Sequence, residues 1–171
     1  FGTDTVPACY EDIELADLVV LVGSNAAWTH PVTYQRLVAA KRARPDMRVV
    51  VIDPRAHQNM GRYAWKNLTF KPGSDVALLN AMLHTIFEEE LYDRQYIQAH
   101  AEGFDDLKEK VKAFPPEEMA EVCGIDAETI REVARTYAKS RASIVFWGMG
   151  ISQHVHGTDN SRSLINLALC T

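Results

Sequence analysis

The stretch Val19-Val20-Leu21-Val22-Gly23-Ser24-Asn25-Ala26-Ala27-Trp28-Thr29-His30-Pro31 decides the fold. Its aliphatic half, extended by Leu18, is a continuous apolar run. That is the pattern of a strand buried on both faces, as in a parallel sheet. The run stops at Gly-Ser-Asn, and Pro31 suits the first turn of a helix. Strand, small polar loop and helix together outline a phosphate or nucleotide loop. Backbone N–H groups and short side chains can meet a pyrophosphate or a sugar there. A plain strand-to-helix turn would read the same way from this loop alone. The glycine triplet of a nicotinamide-binding turn is absent, which disfavours that class of domain.

Working outward, Pro31 to Ala43 has the apolar spacing of a helix, and Pro45-Asp46 ends it. Arg48-Val49-Val50-Val51-Ile52-Asp53 is a second buried strand. Strand, helix, strand within about forty residues is a right-handed crossover unit with parallel pairing. A short helix is expected over Tyr10 to Ala16. Leu68-Thr69-Phe70-Lys71 is a third strand, Pro72-Gly73 turns the chain, and Ser74 can cap the next helix. That helix carries Val76, Leu78-Leu79, Met82-Leu83 and Ile86-Phe87 on one stripe. Glu88-Glu89-Glu90 reads as a solvated face.

Helices are expected over Arg94 to His100, Phe104 to Phe114, Pro116 to Val122 and Asp126 to Lys139. Ser143 to Trp147 is a fourth strand running into Gly148-Met149-Gly150. A loop rich in Gln and His then leads to a final helix from about Asp159. The fold class is α/β: a Rossmann-like open parallel sheet with flanking helices and a helical insertion between about Asp93 and Cys123.

Composition bounds the function. The chain has 171 residues, enough for one sizeable core. A net charge of -5, with no basic run, argues against a nucleic-acid surface. No apolar stretch is long enough to span a bilayer as a helix, so direct membrane insertion is not expected. Cys9, Cys123 and Cys170 are far apart and make no Cys-x-x-Cys, so no metal or iron–sulfur site is expected from them. The chain opens on Phe1 and stops within an apolar, helix-like run, and so reads as a piece of a longer polypeptide. The compartment stays open, with the cytoplasm favoured and the periplasm as the alternative.

In an open parallel sheet, ligands sit at the carboxyl ends of the strands. Four strand ends are therefore candidates: Gly23-Ser24-Asn25, Asp53-Pro54-Arg55, Gly73-Ser74-Asp75 and Gly148-Met149-Gly150. Asp53 could accept hydrogen bonds from a ribose or a base, or cap a turn. Arg55 could bind a phosphate or carboxylate. Asp75 could accept from the N–H edge of a guanine, while capping accounts for Ser74. The two glycines flanking Met149 free the backbone to approach something bulky. His154 and His156 make a weak His-x-His pair with no third ligand. No catalytic constellation and no metal set is evident, so cofactor binding is the better reading.

Taken in order, these segments resemble the molybdopterin oxidoreductase family. Cys9-Tyr10-Glu11-Asp12-Ile13-Glu14, Gly23-Ser24-Asn25 and His30-Pro31-Val32 are similar to its nitrate reductases. Trp147-Gly148-Met149-Gly150-Ile151-Ser152-Gln153-His154 and Gly157-Thr158-Asp159-Asn160 are similar to its formate dehydrogenases. The resemblance implies a single molybdopterin-dinucleotide-binding domain over 1–171, part of a longer catalytic subunit. It implies a bis-molybdopterin guanine dinucleotide cofactor with molybdenum or tungsten. The metal-ligating Cys or selenocysteine and an iron–sulfur cluster would precede Phe1.

By the same resemblance Gly23, Ser24, Asn25 and His30 line the cofactor. Asp53, Pro54 and Arg55 supply the second wall, Gly73, Ser74 and Asp75 the third, and Met149 and Gln153 the fourth. Cys9 is read as a structural thiol. The implied partners are the remainder of the catalytic subunit, electron-transfer subunits and a small anionic substrate. Formate oxidation is preferred and nitrate reduction is the alternative. A non-catalytic α/β packing domain, similar to the central domain of thiamine-dependent enzymes, is the reading from another class. The family usually follows Asp-Pro-Arg with Arg-Thr, whereas Ala56-His57 follow here, so a second cation is missing or moved to Arg62.

Overall fold

The computed structural model describes residues 5–55 and 63–171. The proposed displacement of a cation to Arg62 lies outside these residues. The described residues form a four-stranded, wholly parallel sheet of order β3-β2-β1-β4. Its strands are β1 (Leu18–Val22), β2 (Arg48–Ile52), β3 (Lys66–Leu68) and β4 (Ser143–Trp147). Register pairs Val20 with Val50 on one side of β1 and with Val145 on the other. β4 pairs, among the described residues, only with β1.

The alternating side chains of β1 explain why one strand organises two cores. Leu18, Val20 and Val22 point into a large core shared with α4 (Asp75–Glu88), α8 (Ala127–Lys139) and α10 (Gly157–Cys170). Val19 and Leu21 point to a smaller core under α1 (Asp12–Leu15) and α3 (Pro31–Ala43). All five residues of β1 are buried, as the unbroken apolar run requires. Burying one such aliphatic side chain contributes about 1.5–3 kcal/mol, so this strand anchors both layers.

Three further helices, α5 (Arg94–His100), α6 (Phe104–Val111) and α7 (Pro116–Cys123), form the expected insertion between α4 and α8. Edge-to-face packing of Phe87 with Tyr92 and Phe104 joins α4 to α6. Along α8, Ile130, Val133, Ala134 and Tyr137 are buried at helical spacing. Asp126 caps this helix by accepting the Thr129 N–H at 2.8 Å.

Several expectations are corrected by local geometry. The third strand is Lys66–Leu68, so Phe70 and Lys71 belong to the turn after it. The helix expected over Tyr10 to Ala16 is the shorter α1, and that from Phe104 ends at Val111. The Gln- and His-rich loop begins with a short helix, α9 (Met149–Ser152), and another, α2 (Ala26–Thr29), precedes α3.

The acidic run at the end of α4 is paired with cations. Glu88 and Glu89 accept from Arg131 and Arg135 of α8 at 2.7 and 3.0 Å, and Glu90 pairs with Arg94. Glu90 has a left-handed backbone, with φ 53°. It closes a Schellman turn in which the Leu91 N–H reaches the Ile86 carbonyl at 2.8 Å.

Candidate site at the carboxyl edge of the sheet

Because every strand is parallel, all four strand ends open on one edge. A row of backbone hydrogen bonds stitches the loops there. The Asp53 N–H donates to the Leu68 carbonyl at 3.2 Å, and the Gly23 N–H to Ile52 at 2.9 Å. The Gly148 N–H reaches the Val22 carbonyl at 3.4 Å, and the Gly150 N–H reaches Gly23 at 3.1 Å. The chain thus builds the edge from β3 to β4 before any side chain is considered.

In the first loop Ser24 is buried and Asn25 caps α2 with its carbonyl, which accepts from the Thr29 hydroxyl at 2.9 Å. The Asn25 side-chain oxygen Oδ1 is buried without a hydrogen-bond partner. Such an acceptor costs about 1–3 kcal/mol unless a donor reaches it. His30 is exposed, and its Nδ1 meets the Thr29 hydroxyl at 2.8 Å. A cavity of about 460 Å³ lies beside this loop, lined by Cys9, Tyr10, Ser24, His30, Tyr34 and Trp147 among others.

In the second loop Asp53 is only 4% exposed and its Oδ1 accepts the Arg55 N–H at 2.7 Å. This is an Asx turn, so the turn-capping role is realised. The Arg55 guanidinium lies 3.7 Å from the same oxygen and is mostly exposed, as is Pro54.

The third loop departs from expectation. Ser74 stands at the N-cap of α4, but its hydroxyl makes no capping bond. It donates backwards to the Lys71 carbonyl at 2.6 Å. Asp75, also 4% exposed, occupies the first helical position, where the helix dipole favours its charge. Gly73 turns the chain at the surface.

Lys71 ties this loop to the insertion: its N–H reaches the Cys123 carbonyl and its ammonium the Glu121 carbonyl, both at 2.8 Å. The Cys123 thiol lies 3.8 Å from the Ser74 carbonyl. Burial pushes that thiol's pKa up, against the smaller lowering by the Ser74 bond. Sequence reasoning missed Lys71 and Cys123. The Lys71-Pro72-Gly73 turn held a signal, but only the fold brings Cys123 to it.

In the fourth loop the two glycines around Met149 pack against the first loop. A Cβ on Gly150 would stand 2.5 Å from the Gly23 carbonyl oxygen, and one on Gly148 3.2 Å from it. The bulky neighbour expected there is this backbone. Met149 is 63% exposed and Gln153 is exposed beyond α9.

The His154 Nε2 donates to the Gly150 carbonyl at 2.8 Å, which fixes the tautomer and gives this histidine a structural bond. Asn160, buried in α10, donates to the Ile151 carbonyl at 3.0 Å. That role was not legible beyond its place in the Gly157-Thr158-Asp159-Asn160 motif. Cys9 is exposed, and its N–H donates to Asp12 at 2.7 Å.

Among the described residues no three His, Cys, Asp or Glu side chains group to hold a metal, and no helix is long and apolar enough to cross a membrane. A second depression, of about 730 Å³, lies between α5 and α6 against Tyr92, Arg94, Phe104 and Lys108, and none of the candidate residues lines it.

A parallel α/β domain with its polar loops gathered at one carboxyl edge is the class defined by this geometry. Within that class, the family model for molybdopterin oxidoreductases matches residues 2–171, and the chain belongs to the molybdopterin oxidoreductase family. It is 38% identical over 174 residues to the F420-dependent formate dehydrogenase subunit alpha of Methanocaldococcus jannaschii, covering 100% of this chain and 25% of that protein. It is 36% identical to formate dehydrogenase H of Escherichia coli, covering 99% and 23% respectively. It is 39% identical to a nitrate reductase of Klebsiella oxytoca, covering 98% and 19%.

Among solved structures, acetylene hydratase from Pelobacter acetylenicus superposes with a TM-score of 0.85 at 26% identity, over 95% of this chain and 22% of that one. The chain therefore spans about a quarter of the length of the curated relatives it matches. The family implies a molybdopterin cofactor. The buried, unpartnered Asn25 Oδ1, with two buried carboxylates on the same edge, suits a ligand rich in N–H and O–H donors.

Proposed function

We propose that residues 1–171 form a molybdopterin guanine dinucleotide-binding domain of a molybdenum or tungsten oxidoreductase subunit, with formate oxidation as the whole subunit's reaction. The observation that carries this is the orphaned acceptor Asn25 Oδ1 on the edge shared by Asp53 and Asp75. Asn25 accepts a donor from the dinucleotide. Asp53, through the oxygen not engaged by the Arg55 N–H, accepts ribose O–H or base N–H groups. Asp75 takes the N–H edge of guanine, and the exposed Arg55 guanidinium faces phosphate charge.

When bound, the metal–pterin group supplies the two-electron chemistry. This chain supplies orientation and screened charge. The metal ligand and an iron–sulfur cluster are assigned to polypeptide before Phe1, and further partners are electron-transfer subunits. The chain by itself should be redox-inactive.

Nitrate reduction is the second reading, favoured by the nitrate reductase similarity. In the formate reaction, formate yields carbon dioxide, a proton and two electrons. In the nitrate reaction, nitrate takes two electrons and two protons to give nitrite and water. The test uses the full-length subunit. Asn25→Ala, Asp53→Asn and Asp75→Asn should each lower the guanine nucleotide released on acid denaturation. Undiminished guanine in all three would sink the binding reading. Formate-driven dye reduction is expected of the wild type, and nitrate-only turnover would move the assignment to the second branch.

A further inference from the structure

The loops after β1 and β4 meet backbone to backbone at Gly23 and Gly150. The Gly150 N–H donates to the Gly23 carbonyl at 3.1 Å. A Cβ on Gly23 would lie 2.8 Å from the Gly150 carbonyl carbon, and Gly23 itself has φ +52°. A Cβ on Gly150 would lie 2.5 Å from the Gly23 oxygen. Real side chains essentially never approach that closely, and the obstructing atoms are backbone, so a loop must move.

Gly150 sits inside α9, where alanine is ordinarily the better helix former. Helix propensity therefore favours replacing it, and only the approach to Gly23 opposes that. Within the same loop His154 donates to the Gly150 carbonyl at 2.8 Å. The Gly150 N–H thus holds α9 against the β1 loop, while its carbonyl is committed to the loop's own His154.

We propose that this Gly23–Gly150 clasp is a positioning device for the dinucleotide. It makes the β1 and β4 loops one wall. Ser24 and Asn25 on one side are then set at a fixed spacing from Met149 and Gln153 on the other. The inference rests on the dinucleotide-binding reading above. Gly23 and Gly150 are positioning residues, and their role is to keep the groove at one width.

The test uses the full-length subunit with Gly150→Ala, and Val20→Ala as a control that weakens the centre of β1 without touching the clasp. Guanine nucleotide and metal recovered per mole of subunit are measured beside the melting temperature. Gly150→Ala should lose at least about threefold in both ligands while Val20→Ala, with an equal or larger fall in melting temperature, keeps them. Equal losses in the two variants would overturn the proposal, because general stability would then explain them. Full retention in Gly150→Ala would overturn it too. If Asn25→Ala, Asp53→Asn or Asp75→Asn still loses guanine in that case, the binding reading survives, and if none of them does, both fall. Should Gly150→Ala not fold, hydrogen exchange on the wild type decides. The Gly150 amide should exchange at least about tenfold more slowly with cofactor bound than in the cofactor-free subunit. Equal rates would overturn the proposal.

Discussion

The side-chain amide of Asn160 donates to the main-chain carbonyl of Ile151 at 3.0 Å, and both residues are buried. This bond joins α10 to α9 and so supports the fourth loop from below. Removing the donor leaves a carbonyl without its partner. Asn160→Ala should therefore destabilise by about 1–3 kcal/mol, read as a lowered midpoint in urea with an unchanged slope. An unchanged midpoint would mean the bond is dispensable.

The α4–α8 seam predicts an acid response. The Arg135 hydrogen bond holds the Glu89 carboxyl below its ordinary value of 4.5. Glu117 is lowered by its own backbone N–H and then by Arg131, and Asp126 by its bonds from Thr129. A depressed folded-state pKa gives stability that is present above the unfolded value and lost as pH falls through the folded one. Melting temperature should thus fall on going from about pH 7 to about pH 3, and Glu89→Gln should reduce the size of that fall. A flat profile in the wild type would contradict the assignment. Added salt should shrink the effect, since these pairs are partly exposed.

The three cysteines should separate by rate. Burial raises the Cys170 thiol to about 11 and also raises Cys123, and both side chains lie in the larger core. Cys9 is exposed. A disulfide reagent at about pH 8 should label Cys9 at once and the other two only on unfolding. Rapid labelling of all three in the native state would place a core cysteine at the surface.

Glu90 carries a left-handed backbone that a glycine adopts freely. Its exposed pairing with Arg94 contributes little against that strain. Glu90→Gly should raise stability by about 0.5–1 kcal/mol in denaturant melts. A loss would show that the Arg94 pairing outweighs the turn.

The fold was legible wherever one residue pattern sufficed. The apolar runs of β1, β2 and β4 and the stripe of α8 need no tertiary information. β3 was displaced because Phe70, apolar and buried, looks like a strand residue while it packs from a turn. The acidic run is exposed at Glu88 and Glu90, as expected of a solvated face, but its pairing was not legible because Arg131 and Arg135 lie more than forty residues away in sequence. The candidate loops were legible from their composition and from the rule for parallel sheets. The clasp was not, since Gly23 and Gly150 meet only across two paired strands. Ser74 shows the reverse limit: a residue typical of helix caps bonds backwards because the Lys71 carbonyl is closer at hand.

Among the described residues β4 is bonded on one side, which leaves main-chain donors and acceptors along its outer flank without a strand partner. Nothing on that strand carries charge to repel a newcomer. Handled as a separate piece, the chain should offer a template to its own copies, and its solubility should be set by concentration sooner than by unfolding.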